Sequence, residues 1–288
     1  MSVEKSTFTK LNSESEHSSV IVEVGVWAGG IVSKKKDSIA TEMPIALVYN
    51  DVSHAVMMAS PQDVEAFALG FSLTEEIISS PAEIYELQLR LIEASNDSVT
   101  GMEVAMTISS ERFALLKERR RNLVGRTGCG ICGAESLQQL RRPAHSIAKE
   151  LPSELSVTHS AINSAVMALQ QHQTLQSLTG AVHGAAWCNQ QGKIVELCED
   201  VGRHNAVDKL VGKLAASAIS MDEGFLLVSS RASYEIVQKA AVARIAIIVA
   251  VSAPTSLAIE IAEEGGLSLV GFARDNRHVC YSNCHRLD

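Results

Sequence analysis

The chain has 288 residues, 46% of them hydrophobic, and a formal net charge of −8. This is enough apolar material for one large domain or two smaller ones, and it excludes collagen-like and disordered classes. The acidic balance also argues against a general nucleic-acid binder held by phosphate contacts.

The first residues, MSVEKSTFTKLNSESEHSS, are polar and lack the apolar segment of a secretory signal. Residues 1–19 are therefore expected to be a mobile polar tail. Residues 245–253 form the longest apolar stretch, too short to span a bilayer, so a cytoplasmic location with no membrane partner is expected. Cysteines stand at 129, 132, 188, 198, 280 and 284. In a reducing compartment they are not expected to form structural disulfides. Metal binding, redox work, nucleophilic chemistry and core packing remain open to them.

In chain order, residues 21–27 are rich in β-branched side chains and predict a strand. Residues 45–49 and 55–59 predict a second pair, with Asn50-Asp51 as the turn. Ser60 fits a helix cap and Pro61 the first helical position. Val64, Phe67, Ala68 and Phe71 follow at helical spacing, which predicts a helix to about residue 78. Two more strands are expected over 87–94 and 102–109, making residues 20–124 an α+β subdomain. It closes with a basic stretch carrying Arg112, Lys117, Arg119, Arg120, Arg121 and Arg126 against Glu111 and Glu118, whose helix is expected to end at Gly125.

Residues 125–288 are expected to form an α/β domain. Strands are predicted over 181–188, 194–198, 225–229, 245–251 and 268–272. Helices are predicted over 205–214, 234–242 and 255–263, the first with Val207, Leu210, Val211 and Leu214 on one stripe. Alternating helices and near-continuous apolar strands imply parallel pairing with helices covering the sheet.

The strongest chemical signal opens this domain: Gly128-Cys129-Gly130-Ile131-Cys132-Gly133. Two thiols at this spacing can reach each other, a metal or a shared substrate, so half a zinc site and a redox dithiol stay open. The glycines permit positive φ and close backbone approach. Successive N–H groups in such a loop can face an anion, including a thiolate or the outer sulfur of a persulfide. The arginines upstream favour a thiolate, and a helix expected from Glu135-Ser136-Leu137 adds positive potential. Cys280 and Cys284, between His278 and His285, can bind a metal or be incidental residues of a solvated tail. Cys188 and Cys198 lie in apolar strands and read as small buried hydrophobes.

The loop TGCGICG and the downstream segment EDVGRHNAVDKLVG together resemble the FdhD family, the formate dehydrogenase accessory sulfurtransferases. Thr41-Glu42-Met43-Pro44, ALGFSLTEEII, GAVHGAAW, LVSSRASYEIVQKAA and GGLSLVGFARDNRHVCY agree as well, so the resemblance runs from about Val20 to the C-terminus. It implies a cytidine-deaminase-like, three-layer α/β core with a mixed or parallel sheet, in a protein that dimerises. It also implies a sulfur carrier that takes sulfur from a cysteine desulfurase of the IscS type. The acceptor would be the molybdenum of Mo-bis(molybdopterin guanine dinucleotide), a bound client destined for formate dehydrogenase. No permanently bound metal is expected.

The persulfide-carrying residue would be Cys129, with Cys132 assisting or resolving. The cofactor-binding stretch would be Phe272, Ala273, Arg274, Asp275, Asn276 and Arg277. Family members commonly end soon after the tyrosine matching Tyr281, which sets the last cysteines apart. Arg274 and Arg277 follow an apolar strand, where open α/β sheets bind ligands, and guanidinium matches phosphate geometry. Arg203 and His204 open a helix, whose N-terminus attracts anions; His204 can equally be a capping or core histidine. Asp208 and Lys209 are expected on that helix's surface. His183 either lines the cleft or is a satisfied core residue. Ser229-Ser230-Arg231 sits at another strand end. A zinc deaminase would need glutamate two residues after its histidine; here that residue is Ala185. A zinc-dependent hydrolase of deaminase type and a cofactor chaperone without catalysis are the alternatives.

Overall fold

The structure, a computed structural model, describes residues 18–93, 99–121, 151–152, 154–217, 219–274 and 276–288. The expected tail, the end of the basic helix at Gly125, the glycine-rich loop with Cys129 and Cys132, the helix from 135 and Asp275 lie outside the described residues.

Strands β1 (Ser19–Ala28) and β2 (Ile31–Ala40) pair antiparallel as a two-stranded ribbon. Strands β3 (Met43–Tyr49), β4 (Val52–Ala59), β5 (Ile84–Glu93) and β6 (Val99–Ile108) form a four-stranded sheet in the order β4-β3-β6-β5. Helix α1 (Val64–Thr74) buries Val64, Phe67, Ala68 and Phe71 in the same cluster as Ile45, Leu47 and Tyr49 of β3. The basic helix α2 (Ser110–Arg121) follows β6.

One expectation fails here. Helix α1 starts at Val64 behind Asp63, which has φ 54°, and Ser60 is not its cap. Ser60 is fully buried and spends its polar groups on the other half of the chain: its N–H donates to Asp200 Oδ2 (2.9 Å) and its Oγ accepts from Val201 N (3.2 Å).

The larger sheet has the order β12-β11-β10-β9-β7-β8, built from β7 (His183–Asn189), β8 (Ile194–Asp200), β9 (Gly224–Val228), β10 (Ile247–Ala250), β11 (Ser268–Arg274) and β12 (Arg277–Ser282). The fold is thus mixed α/β. Only β9, β10 and β11 are mutually parallel; β7, β8 and β12 run antiparallel to their neighbours. The expectation of parallel pairing therefore fails at both ends of the sheet. The cause is connection length, because the four residues 190–193 and the two residues 275–276 are too few for a parallel crossover.

Helices α3 (His159–His172), α4 (Thr174–Thr179), α5 (Arg203–Ala216), α6 (Tyr234–Val242) and α7 (Ser256–Glu264) complete this half. The crossovers from β9 to β10 and from β10 to β11 carry α6 and α7, which pack against each other, and α5 packs against α6 and the β7–β8 hairpin. Helix α3 packs across β8 and β11. Trp187, Phe225, Leu226, Ile248 and Leu269 sit in the resulting core.

The two halves meet where α1 crosses α5. A Cβ on Gly70 would lie 1.7 Å from the Asp208 carbonyl oxygen, and one on Gly212 would lie 1.9 Å from the Ala66 oxygen. The helices touch backbone to backbone, which only glycine permits at these two points.

The C-terminal segment is folded, contrary to the solvated tail expected of it. Strand β12 pairs with β11, a 3-10 turn covers Cys284–Arg286, and Cys280 is disulfide-bonded to Cys284. Cysteines four apart meet because the left-handed turn at Asn283 (φ 46°) folds the chain back on the end of β12. Among the described residues, no helix is long and apolar enough to cross a membrane.

Candidate functional site

Strands β9, β10 and β11 end at one edge of the large sheet, and α5, α6 and α7 all begin there. Strand β7 enters at the same edge: Ser229 N donates to the Gly184 oxygen (3.0 Å) and Gly184 N donates to Ser229 Oγ (2.9 Å). His183 pairs with Asp200 across the β7–β8 hairpin, which brings the start of α5 to the edge as well. His183, Arg203, His204, Ser229-Ser230-Arg231 and Phe272 to Arg274 therefore share one side of the molecule with three positive helix ends.

The segment from Glu199 to Lys209 divides its work. Asp200 is fully buried. Its Oδ1 accepts from Gly202 N (2.7 Å) and Asn205 Nδ2 (2.9 Å), while Oδ2 lies 2.6 Å from Lys209 Nζ. Lys209 also donates to the Ser60 oxygen (2.9 Å), and Asn205 Nδ2 to the Met58 oxygen (2.8 Å). Asp208 accepts from Thr74 Oγ1 (2.6 Å) and meets Lys239 Nζ at 3.0 Å. Burial alone would push the Lys239 ammonium down, but Asp208 and Glu75 together hold it above its ordinary value. The expected surface placement of Asp208 and Lys209 is thus wrong: both are buried at the junction with α1, where each finds an opposite charge.

Arg203 and His204 point the other way, toward α6. His204 Nε2 lies 2.7 Å from Glu235 Oε2 and 3.3 Å from Ser233 Oγ, and Arg203 reaches the same carboxylate at 3.8 Å. Ser233 Oγ donates to Glu235 at 3.3 Å. The His204 hydrogen bond, more than any other influence, holds Glu235 below the usual carboxylate range. Burial first, and the Arg203 cation second, hold His183 below the usual histidine value. Glu235 was not foreseen as a site residue; its signal was its place in the first turn of a helix behind Ser233, at a strand end.

The 272–277 stretch lies at the other end of the edge. Four strand spacings of about 4.8 Å set β8 and β11 about 19 Å apart, so the two groups of candidate residues share an edge rather than one contact. Phe272 has φ 51°, and its N–H donates to the Ser252 oxygen at 3.0 Å. The Arg274 guanidinium lies 6.0 Å from the Phe272 ring centroid, at the outer range of a cation–π contact. Arg274 and Arg277 are exposed partners across the β11–β12 hairpin. Ala273 is buried in the core. Asn276 accepts from Asn163 Nδ2 (2.6 Å), and His278 Nε2 is 2.7 Å from His159 Nδ1, so α3 braces this turn twice.

Cys129 and Cys132 lie outside the described residues. Cys188 and Cys198 are buried, and burial pushes both thiols up to about 12. They are packing residues, as their apolar strands suggest.

A model of the FdhD/NarQ family matches residues 40–288. The chain belongs to the FdhD/NarQ family. Family members of named role include the sulfur carrier protein FdhD of Cupriavidus necator, 46% identical over 92% of this chain and 88% of that one. The protein of the same name from Xanthomonas euvesicatoria is 47% identical over 94% of this chain and 92% of its own. The crystal structure of a proposed formate dehydrogenase accessory protein from Desulfotalea psychrophila matches with a TM-score of 0.69, covering 94% of this chain and 99% of that one. At 22% identity this last likeness speaks for the fold alone. The family match runs to residue 288, so Cys280 and Cys284 fall within the family's extent rather than beyond it.

Proposed function

We propose that the chain is a sulfur carrier and sulfurtransferase serving formate dehydrogenase. The observation that carries the reading is the sheet edge described above, with Arg274, Arg277, Arg203 and three helix N-termini, in a member of the FdhD/NarQ family. Relatives at 46% and 47% identity named sulfur carrier protein FdhD support it.

In this reading the Cys129 thiolate attacks the outer sulfur of a persulfide on a cysteine desulfurase of the IscS type, whose own cysteine leaves as a thiolate. The persulfide then delivers that sulfur to the molybdenum of Mo-bis(molybdopterin guanine dinucleotide), the substrate. The Cys132 thiolate attacks Cys129 Sγ and breaks the persulfide S–S bond. The outer sulfur thus leaves at the sulfide level for the metal, and a Cys129–Cys132 disulfide remains, which a cellular thiol reduces. Phe272, Ala273, Arg274, Asp275, Asn276 and Arg277 hold the guanine-nucleotide end, and Arg203 with His204 contacts a phosphate further along. An extended dinucleotide suits an edge about 19 Å long better than a compact ligand would. A homodimer, a cytoplasmic location and a cytidine-deaminase-like ancestry for the core belong to the same reading.

A zinc hydrolase of deaminase type has less support, because Ala185, buried in β7, stands where the general acid/base glutamate would have to be. Replacing Cys129 by alanine separates carrier from chaperone. In cells lacking their own copy, the variant is expected to abolish formate dehydrogenase activity while the purified protein still binds the pterin cofactor. Full activity would contradict sulfur transfer.

A further inference from the structure

Cys280 lies within β12, three residues after Arg277, and Cys284 follows that strand; neither is among the residues assigned above to sulfur carriage or cofactor binding. A disulfide stabilises a fold chiefly by closing a long loop in the unfolded chain. This one joins residues only four apart. The segment it closes is already fastened without it. Asn283 Nδ2 donates to the Ala262 and Leu267 oxygens (3.1 and 3.0 Å), Arg286 Nη1 donates to the Gly266 oxygen (2.8 Å), and Val157 N donates to the Arg286 oxygen (2.9 Å). The bond therefore adds less as a cross-link than one that closes a longer loop.

Accessibility differs across the bond. Cys284 is exposed in the 3-10 turn, whereas Cys280 is half-buried within β12. Thiol–disulfide exchange depends on which sulfur an incoming thiolate can reach. The remaining described cysteines, Cys188 and Cys198, are buried and lack such access.

We propose that Cys280 and Cys284 form a reversible thiol–disulfide exchange site whose substrate is a low-molecular-weight thiol. A thiolate attacks Cys284 Sγ, the S–S bond breaks, and Cys280 leaves as a thiolate that takes a proton from water. A second thiolate attacks the mixed disulfide on Cys284. This forms the external disulfide and releases Cys284, which is protonated in turn. Two electrons and two protons enter the pair, and two external thiols become one disulfide. The hydrogen bonds of Asn283, Arg286 and Val157 involve neither sulfur and keep the C-terminal segment docked in both states. The proposal stands apart from the sulfur-carrier reading, since it involves neither Cys129 nor the arginine edge.

The test uses the full chain carrying Cys129→Ala and Cys132→Ala, equilibrated with glutathione at graded ratios of reduced to oxidised form, then quenched with an alkylating agent. Mass spectrometry of the peptide 278–286 is expected to show both cysteines passing together from disulfide to doubly alkylated within the series. Both alkylated at every ratio, including oxidised glutathione alone, would overturn the proposal, and so would a bond left intact by reduced glutathione alone. In single variants, Cys280→Ser is expected to form a mixed disulfide on Cys284 faster than Cys284→Ser forms one on Cys280. Equal rates would overturn the assignment of Cys284 as the attacked sulfur. Circular dichroism of both variants checks that the fold persists.

Discussion

Lys209 and Asp200 form a fully buried ion pair, with Nζ 2.6 Å from Oδ2. Both also bond to Ser60, so one charge pair fastens α5 to the sheet and to the β4–α1 connection. The signature segment that carries Arg203 and His204 is aimed by this pair, and the site's geometry depends on it.

Breaking the pair one-sidedly leaves a buried charge without a partner. Lys209→Met is expected to cost about 3–5 kcal/mol, read by urea denaturation. Adding Asp200→Asn to it should restore part of the loss. A single variant within about 1 kcal/mol of the parent would show that water or another cation compensates the carboxylate.

The Gly70–Gly212 crossing leaves no room for a methyl group. Gly212→Ala is expected to destabilise by about 1–3 kcal/mol or more, because the Ala66 backbone must retreat. Thermal melts report it. An unchanged or higher Tm would mean that α1 and α5 separate without loss.

Glu235 is held below the usual carboxylate range by His204. A depressed carboxylate contributes stability that is present above its unfolded value and lost as pH falls through the folded one. The parent should therefore exceed Glu235→Gln in stability at neutral pH, and the gap should close as pH drops through and below the ordinary carboxylate range. Stability curves against pH test this. A gap independent of pH would assign Glu235 a packing role only.

Much of the large sheet was legible in the sequence, because apolar runs such as FLLV and IIVA suit buried strands. Helix α6 matched its predicted span of 234–242 for a related reason, since its apolar stripe is regular. Strand β2 was missed: its sequence IVSKKKDSIA lacks apolar alternation, and the strand is largely exposed. Helix α3 was missed although Thr158 caps it by accepting from Ala161 N and Ala161, Ile162, Ala165 and Leu169 face the core. Lys209 was misplaced because charge suggests surface, and its buried partners come from Asp200 and from Ser60, 149 residues away. The site's strand-end arginines were legible from the sheet rule. That β8 and β11 lie about four strand spacings, roughly 19 Å, apart needed the strand order, which no local pattern encodes.

The arginine edge predicts phosphate recognition. Arg274→Ala and Arg277→Ala should each weaken binding of guanosine diphosphate by roughly ten- to a hundredfold, since each removes a charge-assisted hydrogen bond. Calorimetric titration measures it. Unchanged affinity in both variants would place the nucleotide elsewhere.

Buried thiols should stay silent. Cys188 and Cys198, with thiols pushed up to about 12, are expected to resist alkylation in the native protein at mildly alkaline pH and to react only on unfolding. Rapid native labelling of either would show that β7 and β8 open readily.

The central claim is that Cys129 carries sulfur. Mass spectrometry of the protein after incubation with a cysteine desulfurase and cysteine tests it most directly. The peptide holding Cys129 should gain the mass of one sulfur atom, removable by a thiol reductant and absent in Cys129→Ala. An unmodified peptide under conditions where the desulfurase itself is persulfidated would contradict the account.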